Sequence, residues 1–391
     1  MNAQPSAAEA AADAGFLFLS AHRSVRARGI AARITVPPRS LCSGDEAVFE
    51  QEIRNALQRR LADGRRAILV GAIPFDLTQP CCLYVPEQYE FFDRDQRRAP
   101  PPAQARPAAV LAARSIPDEQ GFKAGVNQAI ANFQHSTIKK AVLSRILEMR
   151  LAEPADVERI FANLIAQNPA GYHFRVPLDG GGELIGASPE LLLRKQGAHI
   201  HSNPLAGSAR RQDDAAADRR IADTLQDSAK DAYEHRLVID EIRAVLAPYC
   251  RELSVPAAPS LISTATMWHL STAIDGVLND AALPVLTLAC RLHPTPAVCG
   301  SPTRLSRKLI DLIEPFERGL FSGMVGWCDA DGNGEWVVTI RCGVVRQDMV
   351  QLFAGAGIVE ASCPDSEWRE TQAKLCTMLN AFGIVAGSVA L

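Results

Sequence analysis

The sequence predicts an α+β fold built on large, mostly antiparallel sheets. Segments of strand character and segments of helix character come in runs and do not alternate strictly, unlike the repeated strand–helix–strand order of a parallel sheet. Some strand-like segments follow one another across a short turn, a connection that antiparallel neighbours allow. The 391 residues, 47% of them apolar, suffice for one large domain or two intimate ones, and no short internal repeat divides them.

In chain order, residues 1–14 are Ala- and acid-rich and are expected to form a flexible N-terminus, leaving 15–391 as a single domain. Phe16–Leu19 and Gly29–Val36 read as strands, Glu46–Asp63 as an amphipathic helix and Ala67–Ile73 as a buried strand. A stretch at about 94–117, rich in Pro, Arg and Ala through Pro107, reads as a loop or linker. A helix is expected near Gln120–Phe133, a strand at Lys140–Glu148 and a helix at Pro154–Gln167. Strands follow at Tyr172–Pro177, Glu183–Ser188, Leu191–Lys195 and His199–Ser202. Ile221–Tyr249 reads as largely helical, Leu261–Ile274 as extended, and Leu283–Leu292 and Leu305–Ile313 as helices. Leu320–Cys328, Glu335–Cys342 and Val350–Gly355 have strand character. Beyond them Leu375, Met378, Leu379 and Phe382 recur at helical spacing, with Asp365 or Ser366 able to cap the helix start.

Composition excludes several classes of function. The formal net charge is −3, and no Lys/Arg tract resembles a nucleic-acid footprint. No apolar run is long enough to span a membrane, and the N-terminus lacks the basic region of a secretion signal. None of the ten cysteines has CxxC spacing, so they read as reduced thiols in a cytoplasmic protein.

Candidate chemistry is dispersed along the chain. On the last helix Glu367 and Glu370 share a face, with Lys374 four residues beyond Glu370. Asp231 and Glu234 repeat the same acid spacing in another helical stretch. Each pair alone fits a solvated helix face; together, two such helices could hold a hard divalent cation through carboxylate oxygens. In Lys139-Lys140-Ala-Val-Leu-Ser-Arg145 an alternating strand would turn one lysine inward, where burial lowers its proton affinity. Otherwise both are exposed edge lysines. Glu190, between Gly186-Ala-Ser-Pro189 and Leu-Leu-Leu-Arg194, is either a carboxyl of raised pKa or a turn glutamate facing water. Pro204–Arg211 reads as a loop in which the N–H groups of Gly207 and Ser208 could bind an anion. His269 and His293 are lone histidines that suit structural roles. Ala354-Gly355-Ala356-Gly357-Ile358 is weak as a phosphate loop, while Arg341 on the preceding strand could pair with a carboxylate in bidentate fashion.

In this order the segments Leu184–Lys195, Pro204–Arg211, His293–Ala297, Gly326–Cys342 and Phe353–Thr371 carry a resemblance. The chain resembles the chorismate-utilising enzymes from about Phe16 to about Phe382, and among them the isochorismate synthases of the siderophore (2,3-dihydroxybenzoate) pathway. The resemblance implies two intertwined halves with the active site between them, and Mg²⁺ as cofactor. It implies Glu234 and Glu370 as metal ligands, with Asp231 and Glu367 beside them, partly through water. Gly207 and Ser208 would face the ring carboxylate, and Arg341, Gly357 and Lys374 the enolpyruvyl carboxylate. His269, Ala297, Phe321, Ile340 and Gly355 would complete the substrate pocket. Lys140 matches the base that activates water, in its neutral form, and Glu190 the acid.

The resemblance also narrows the reaction. Ammonia-using members lack the base lysine that Lys140 matches, and aminodeoxychorismate synthases carry a nucleophilic lysine where this chain has Ala206. Salicylate synthases share both Lys140 and Glu190 but usually have Tyr at Phe321, so they stand as the alternative, together with isochorismate synthases of the menaquinone pathway. Tyr233 departs from the His of close relatives. A non-catalytic scaffold would not need Lys140, Glu190, Glu234, Arg341 and Glu370 together. The implied partners are chorismate and a downstream isochorismatase; no nucleic acid or membrane is implied, and the chain is expected to be a monomer.

Overall fold

Two long antiparallel sheets face each other across an apolar layer. The computed structural model describes residues 15–39, 46–62, 64, 66–94 and 108–384. The first, 10-stranded sheet runs Gly300–Ser301, Lys140–Leu151, Met349–Ile358, Cys342–Arg346, Glu183–Ser188, Tyr172–Pro177, Phe16–Leu19, Ser24–Arg28, Gln88–Phe92, with Val110–Ile116 also pairing with Lys140–Leu151. The second, 9-stranded sheet runs Cys250–Ser254, Ile274–Leu278, His199–Asn203, Leu191–Gln196, Gly334–Val338, Met324–Asp329, Ile68–Ile73, Cys82–Val85, Ala32–Ile34. A 3-stranded sheet joins Leu205–Arg210, Met267–Ser271 and Ser260–Ser263.

Central strands such as Ile68–Ile73 are apolar on both faces because both faces are covered. In Ile68–Ile73, alternate residues Ile68, Val70 and Ala72 enter the layer between the sheets, meeting Phe18, Phe174, Trp327 and Phe353. Leu69 and Ile73 point the other way, into a core shared with helices Glu46–Ala62, Ala229–Leu246 and Val285–Leu292. The first sheet's outer face is covered by Val157–Gln167 and Pro364–Ala381, through Leu164, Leu375, Met378 and Leu379. Glu119–Gln134 and Thr303–Ile313 close the end of that sheet around Phe122, Trp368 and Leu309.

Several expectations are corrected. Gly29–Val36 contributes only the strand Ala32–Ile34, preceded by a separate strand Ser24–Arg28. The loop placed at 94–117 contains the strand Val110–Ile116, while residues 95–107, like the N-terminal 1–14, lie outside the described residues. Cys82–Val85, Gln88–Phe92 and Cys250–Ser254 are further strands that the sequence reading did not separate. Pro204–Arg211 is no loop: Leu205–Arg210 is a strand, with a register shift between Leu205 and Ser208 where Gly207 takes φ +78°. The Gly355–Gly357 segment is not a loop after a strand; the strand Met349–Ile358 runs through it. The last helix is capped by neither Asp365 nor Ser366. Its N-cap is Cys363, and Pro364 supplies the pre-set first position.

The run Glu335–Cys342 departs furthest from its expected form. It is two strands in two sheets: Gly334–Val338 belongs to the second and Cys342–Arg346 to the first. Between them Arg341 turns at φ 51°. Its neighbour does the same, Glu183–Ser188 lying in the first sheet and Leu191–Gln196 in the second, with Pro189 and Glu190 at the corner. Strands that switch sheets make such corners. The two corners are bonded together, Ala187 N–H donating to Arg341 O at 3.0 Å and Val338 N–H to Glu190 O at 3.1 Å.

Candidate active site

A pocket with about 630 Å³ of empty space, its mouth included, opens at these corners. Glu190 is buried at 3% exposure, and one carboxyl oxygen accepts the Leu205 N–H at 3.4 Å. Burial pushes its pKa up to about 7, against the opposing pull of that N–H and of Lys140, Arg341 and Lys374. The sequence alternative of a water-facing turn glutamate is thereby set aside. Arg341 is buried as well; its Nη2 donates to His269 Nε2 at 3.3 Å, and its Nε has no partner. Burial lowers its pKa to about 10, which still leaves a cation at neutral pH. His269, held well below its ordinary pKa by burial and by Arg341 and Lys374, is neutral and accepts at Nε2. A buried donor without an acceptor calls for an anionic ligand, since leaving it unmade costs about 1–3 kcal/mol.

The acids come from two helices. Asp231 and Glu234 lie on Ala229–Leu246, whose start is capped by Ser228; Glu367 and Glu370 lie on Pro364–Ala381. Each is held by a neighbour: Lys140 Nζ is 2.9 Å from Glu234, Lys374 Nζ 2.6 Å from Glu370 and Lys230 Nζ 2.8 Å from Glu367. Ser208 Oγ donates to Glu370 at 3.0 Å, and Ser228 Oγ donates to Asp231. Burial and the Glu370 charge raise Glu367 to about 7. Burial, with Glu234 and Glu370, raises Asp231 too. Burial acts upward on Glu370 also, but Lys374, Lys230 and Ser208 outweigh it and the net direction is down. Among the described residues no three side chains stand as a ready-made metal cluster. The donor set is nevertheless all carboxylate oxygen under mutual repulsion, which suits a hard divalent cation.

Lys140 is fully buried while Lys139 is exposed, so the strand does turn one lysine inward. The Lys140 Nζ faces Glu234 at 2.9 Å across a buried contact. Gly357 makes room for that pair, because a Cβ there would stand 2.2 Å from Glu234 Oε1 and 3.0 Å from Lys140 Cε.

The pocket brings together most of the predicted set: Glu190, Gly207, Ser208, Glu234, His269, Ala297, Phe321, Ile340, Arg341, Gly355, Gly357, Glu370 and Lys374. Lys140 stands behind Glu234, while Asp231 and Glu367 lie outside the lining. Lys374 reaches Gly355 O at 2.8 Å besides Glu370. His293 is structural, its Nε2 against Phe75 O. Sequence reasoning missed Lys230, although it directly precedes Asp231. It also missed Phe353, which stacks on Phe321 at 5.1 Å and 12° to form an aromatic wall, and Ser322, at φ 60° beside that wall.

The pocket gathers a buried carboxyl of raised pKa, a buried guanidinium, a buried lysine behind Glu234 and paired carboxylates from two helices. The family model of chorismate binding enzymes matches residues 83–383. The chain is 46% identical to isochorismate synthase EntC of Escherichia coli K12, over 94% of this chain and 95% of that one. It is 41% identical to isochorismate synthase DhbC of Bacillus subtilis 168, over 94% of each. The crystal structure of DhbC from Bacillus anthracis matches with a TM-score of 0.87 at 38% identity, over 97% of this chain and 100% of that. The chain belongs to the chorismate-binding enzyme family.

Proposed function

We propose that this protein is an isochorismate synthase, reversibly converting chorismate to isochorismate with Mg²⁺, and that it feeds catecholate siderophore synthesis. The observation that carries the reading is Glu190, a pocket carboxyl whose pKa burial raises to about 7, beside Arg341, whose Nε is buried without a partner. Chorismate carries two carboxylates. Arg341 and Lys374 suit the enolpyruvyl one, and the ring carboxylate lies toward Gly207, Ser208 and the acid helices. Glu234 and Glu370, with Asp231 and Glu367 behind them, would hold Mg²⁺, which supplies charge neutralisation at that carboxylate. Lys140 takes a proton from water as its oxygen bonds to ring carbon 2. The ring double bonds shift, and the hydroxyl on carbon 4 leaves with the proton of Glu190. One C–O bond forms and one breaks, so the reaction is readily reversible. Glu234 cannot serve a cation and Lys140 equally.

Incubation of the purified protein with chorismate and Mg²⁺, followed by chromatography, tests the reading. Isochorismate is the expected product, and salicylate would mark the pyruvate-eliminating alternative. The reading extends to a cytoplasmic monomer that hands its product to an isochorismatase. Of the described residues, no helix is long and apolar enough to cross a membrane.

Metal removal is expected to abolish turnover and Mg²⁺ to restore it; full activity in excess chelator would refute the cation site. Glu234→Gln should weaken Mg²⁺ binding measured by calorimetry as well as turnover, because it removes a charged oxygen. Arg341→Lys replaces a planar fork by a point charge. The loss should fall on KM for chorismate, by about 1.5–3 kcal/mol or roughly 10–150-fold. An unchanged KM contradicts the assignment of Arg341.

A further inference from the structure

A buried ion pair outside the pocket ties the pocket's walls together. Helix Thr303–Ile313 ends at Glu314, and the chain turns back through Arg318 to Phe321. The side chains of Glu314 and Arg318 are 3% and 2% exposed. Arg318 places each donor: Nε on Glu314 Oε2 at 2.8 Å, Nη2 on Glu314 Oε1 at 2.6 Å and on Val142 O at 2.7 Å, and Nη1 on Val298 O at 2.7 Å. Glu314 Oε1 also accepts the Ser144 N–H at 2.7 Å.

The place of these bonds matters. On its outer edge the strand Lys140–Leu151 is paired at its start with Gly300–Ser301 and from Ile146 onward with Val110–Ile116. Neither short strand reaches Val142 O or Ser144 N–H, and the ion pair satisfies both, as a further strand would. Val142 is two residues from Lys140. Val298 adjoins Ala297 in the pocket wall, and Phe321 N–H donates back to Arg318 O at 3.0 Å. The guanidinium also lies 4.4 Å above the Phe75 ring, which fixes its plane.

We propose that Glu314 and Arg318 are positioning residues for the reaction: their ion pair sets Lys140 relative to the Ala297–Val298 and Phe321 walls of the pocket. The inference rests on Lys140 being the base. The pair's hydrogen bonds go to Val142, Ser144 and Val298, away from the acid helices, so the expected signature is a change in kcat with substrate and metal binding kept.

The test uses Arg318→Lys and Glu314→Gln in the full chain, because an uncharged residue at 318 would strand Glu314 and risk unfolding. Lysine keeps a cation for Glu314 but cannot hold the Val142 and Val298 carbonyls together; glutamine keeps an acceptor for Ser144. Each variant is assayed well below its own Tm. The expected result is a kcat lowered by about 10–10²-fold, the scale of an ångström-level misplacement. KM for chorismate and the calorimetric Kd for Mg²⁺ should stay within about threefold of the parent. The double variant should lose less than the product of the single losses, because both act through one pair. Lowered Tm with unchanged kcat in both variants overturns the proposal and leaves the pair a purely stabilising one. Lys140→Ala, run alongside, separates the two ideas. If it is inactive while Arg318→Lys is normal, only the positioning role fails. If Lys140→Ala turns over normally, the base assignment fails and the positioning role falls with it.

Discussion

Lys140→Ala is expected to lower isochorismate formation by about 10²–10⁴-fold, the usual worth of general base assistance. The reverse conversion should slow equally, since the group that takes the proton forward must return it backward. Mg²⁺ binding should be retained or tightened, because Lys140 Nζ at 2.9 Å is the cation that Glu234 holds in this structure. Removing one member of a fully buried pair costs about 3–5 kcal/mol; Glu234, whose side chain is 10% exposed at the pocket, should lose less. Unfolding is therefore measured with and without Mg²⁺, and Lys140→Met, which fills the same space, serves as the packing control. Near-normal rates in a folded Lys140→Ala protein would mean that another group activates the water.

What the sequence made legible was periodic. Helical spacing places Glu367 and Glu370 on one face, and Asp231 and Glu234 on another, whatever the tertiary structure. Whether Lys139 or Lys140 turns inward, or both stay exposed at an edge, is not decided by alternation, and only packing resolves it. Long-range pairs left no local trace: Lys230 meets Glu367 across 137 positions of chain. The sheet-switching corners were hidden for a different reason. Glu335–Cys342 is an unbroken run of strand-forming character, and nothing in an arginine announces φ 51°. The crossing is imposed by the two sheets, which draw Gly334–Val338 and Cys342–Arg346 to different partners. Both corners end in the pocket: Glu190 at a turn that the sequence did show, and Ile340 and Arg341 from inside what reads as one strand. The acid–lysine pairs show the same limit. Sequence supplied the acids and two of the lysines, but each lysine's choice of carboxylate follows from how the helices pack.

Glu190→Gln is expected to remove the same 10²–10⁴-fold as loss of the base, because an amide cannot deliver a proton to the departing hydroxyl. The double Lys140→Ala/Glu190→Gln variant should be less impaired than the product of the single losses, since both groups act in one displacement. Glu190 also makes a prediction about pH. Burial raises its pKa from 4.5 to about 7, so the folded protein binds this proton more tightly than the unfolded chain does. Its contribution to stability is therefore fully present below about pH 4.5, is lost as pH rises toward 7, and is a net cost above that. At 1.36 kcal/mol per unit the cost at pH 8 is on the order of 3 kcal/mol. Glutamine has no charge to bury, so Glu190→Gln should be the more stable protein at pH 8, with most of that advantage gone at pH 5. The rate has the same origin: the parent's kcat should fall as pH rises through about 7, because the protonated acid disappears, and the residual rate of Glu190→Gln should lack that limb. Denaturant unfolding at the two pH values and pH–rate profiles of both proteins check this. A variant that keeps near-normal rates, or that retains the limb, places the acid on another residue.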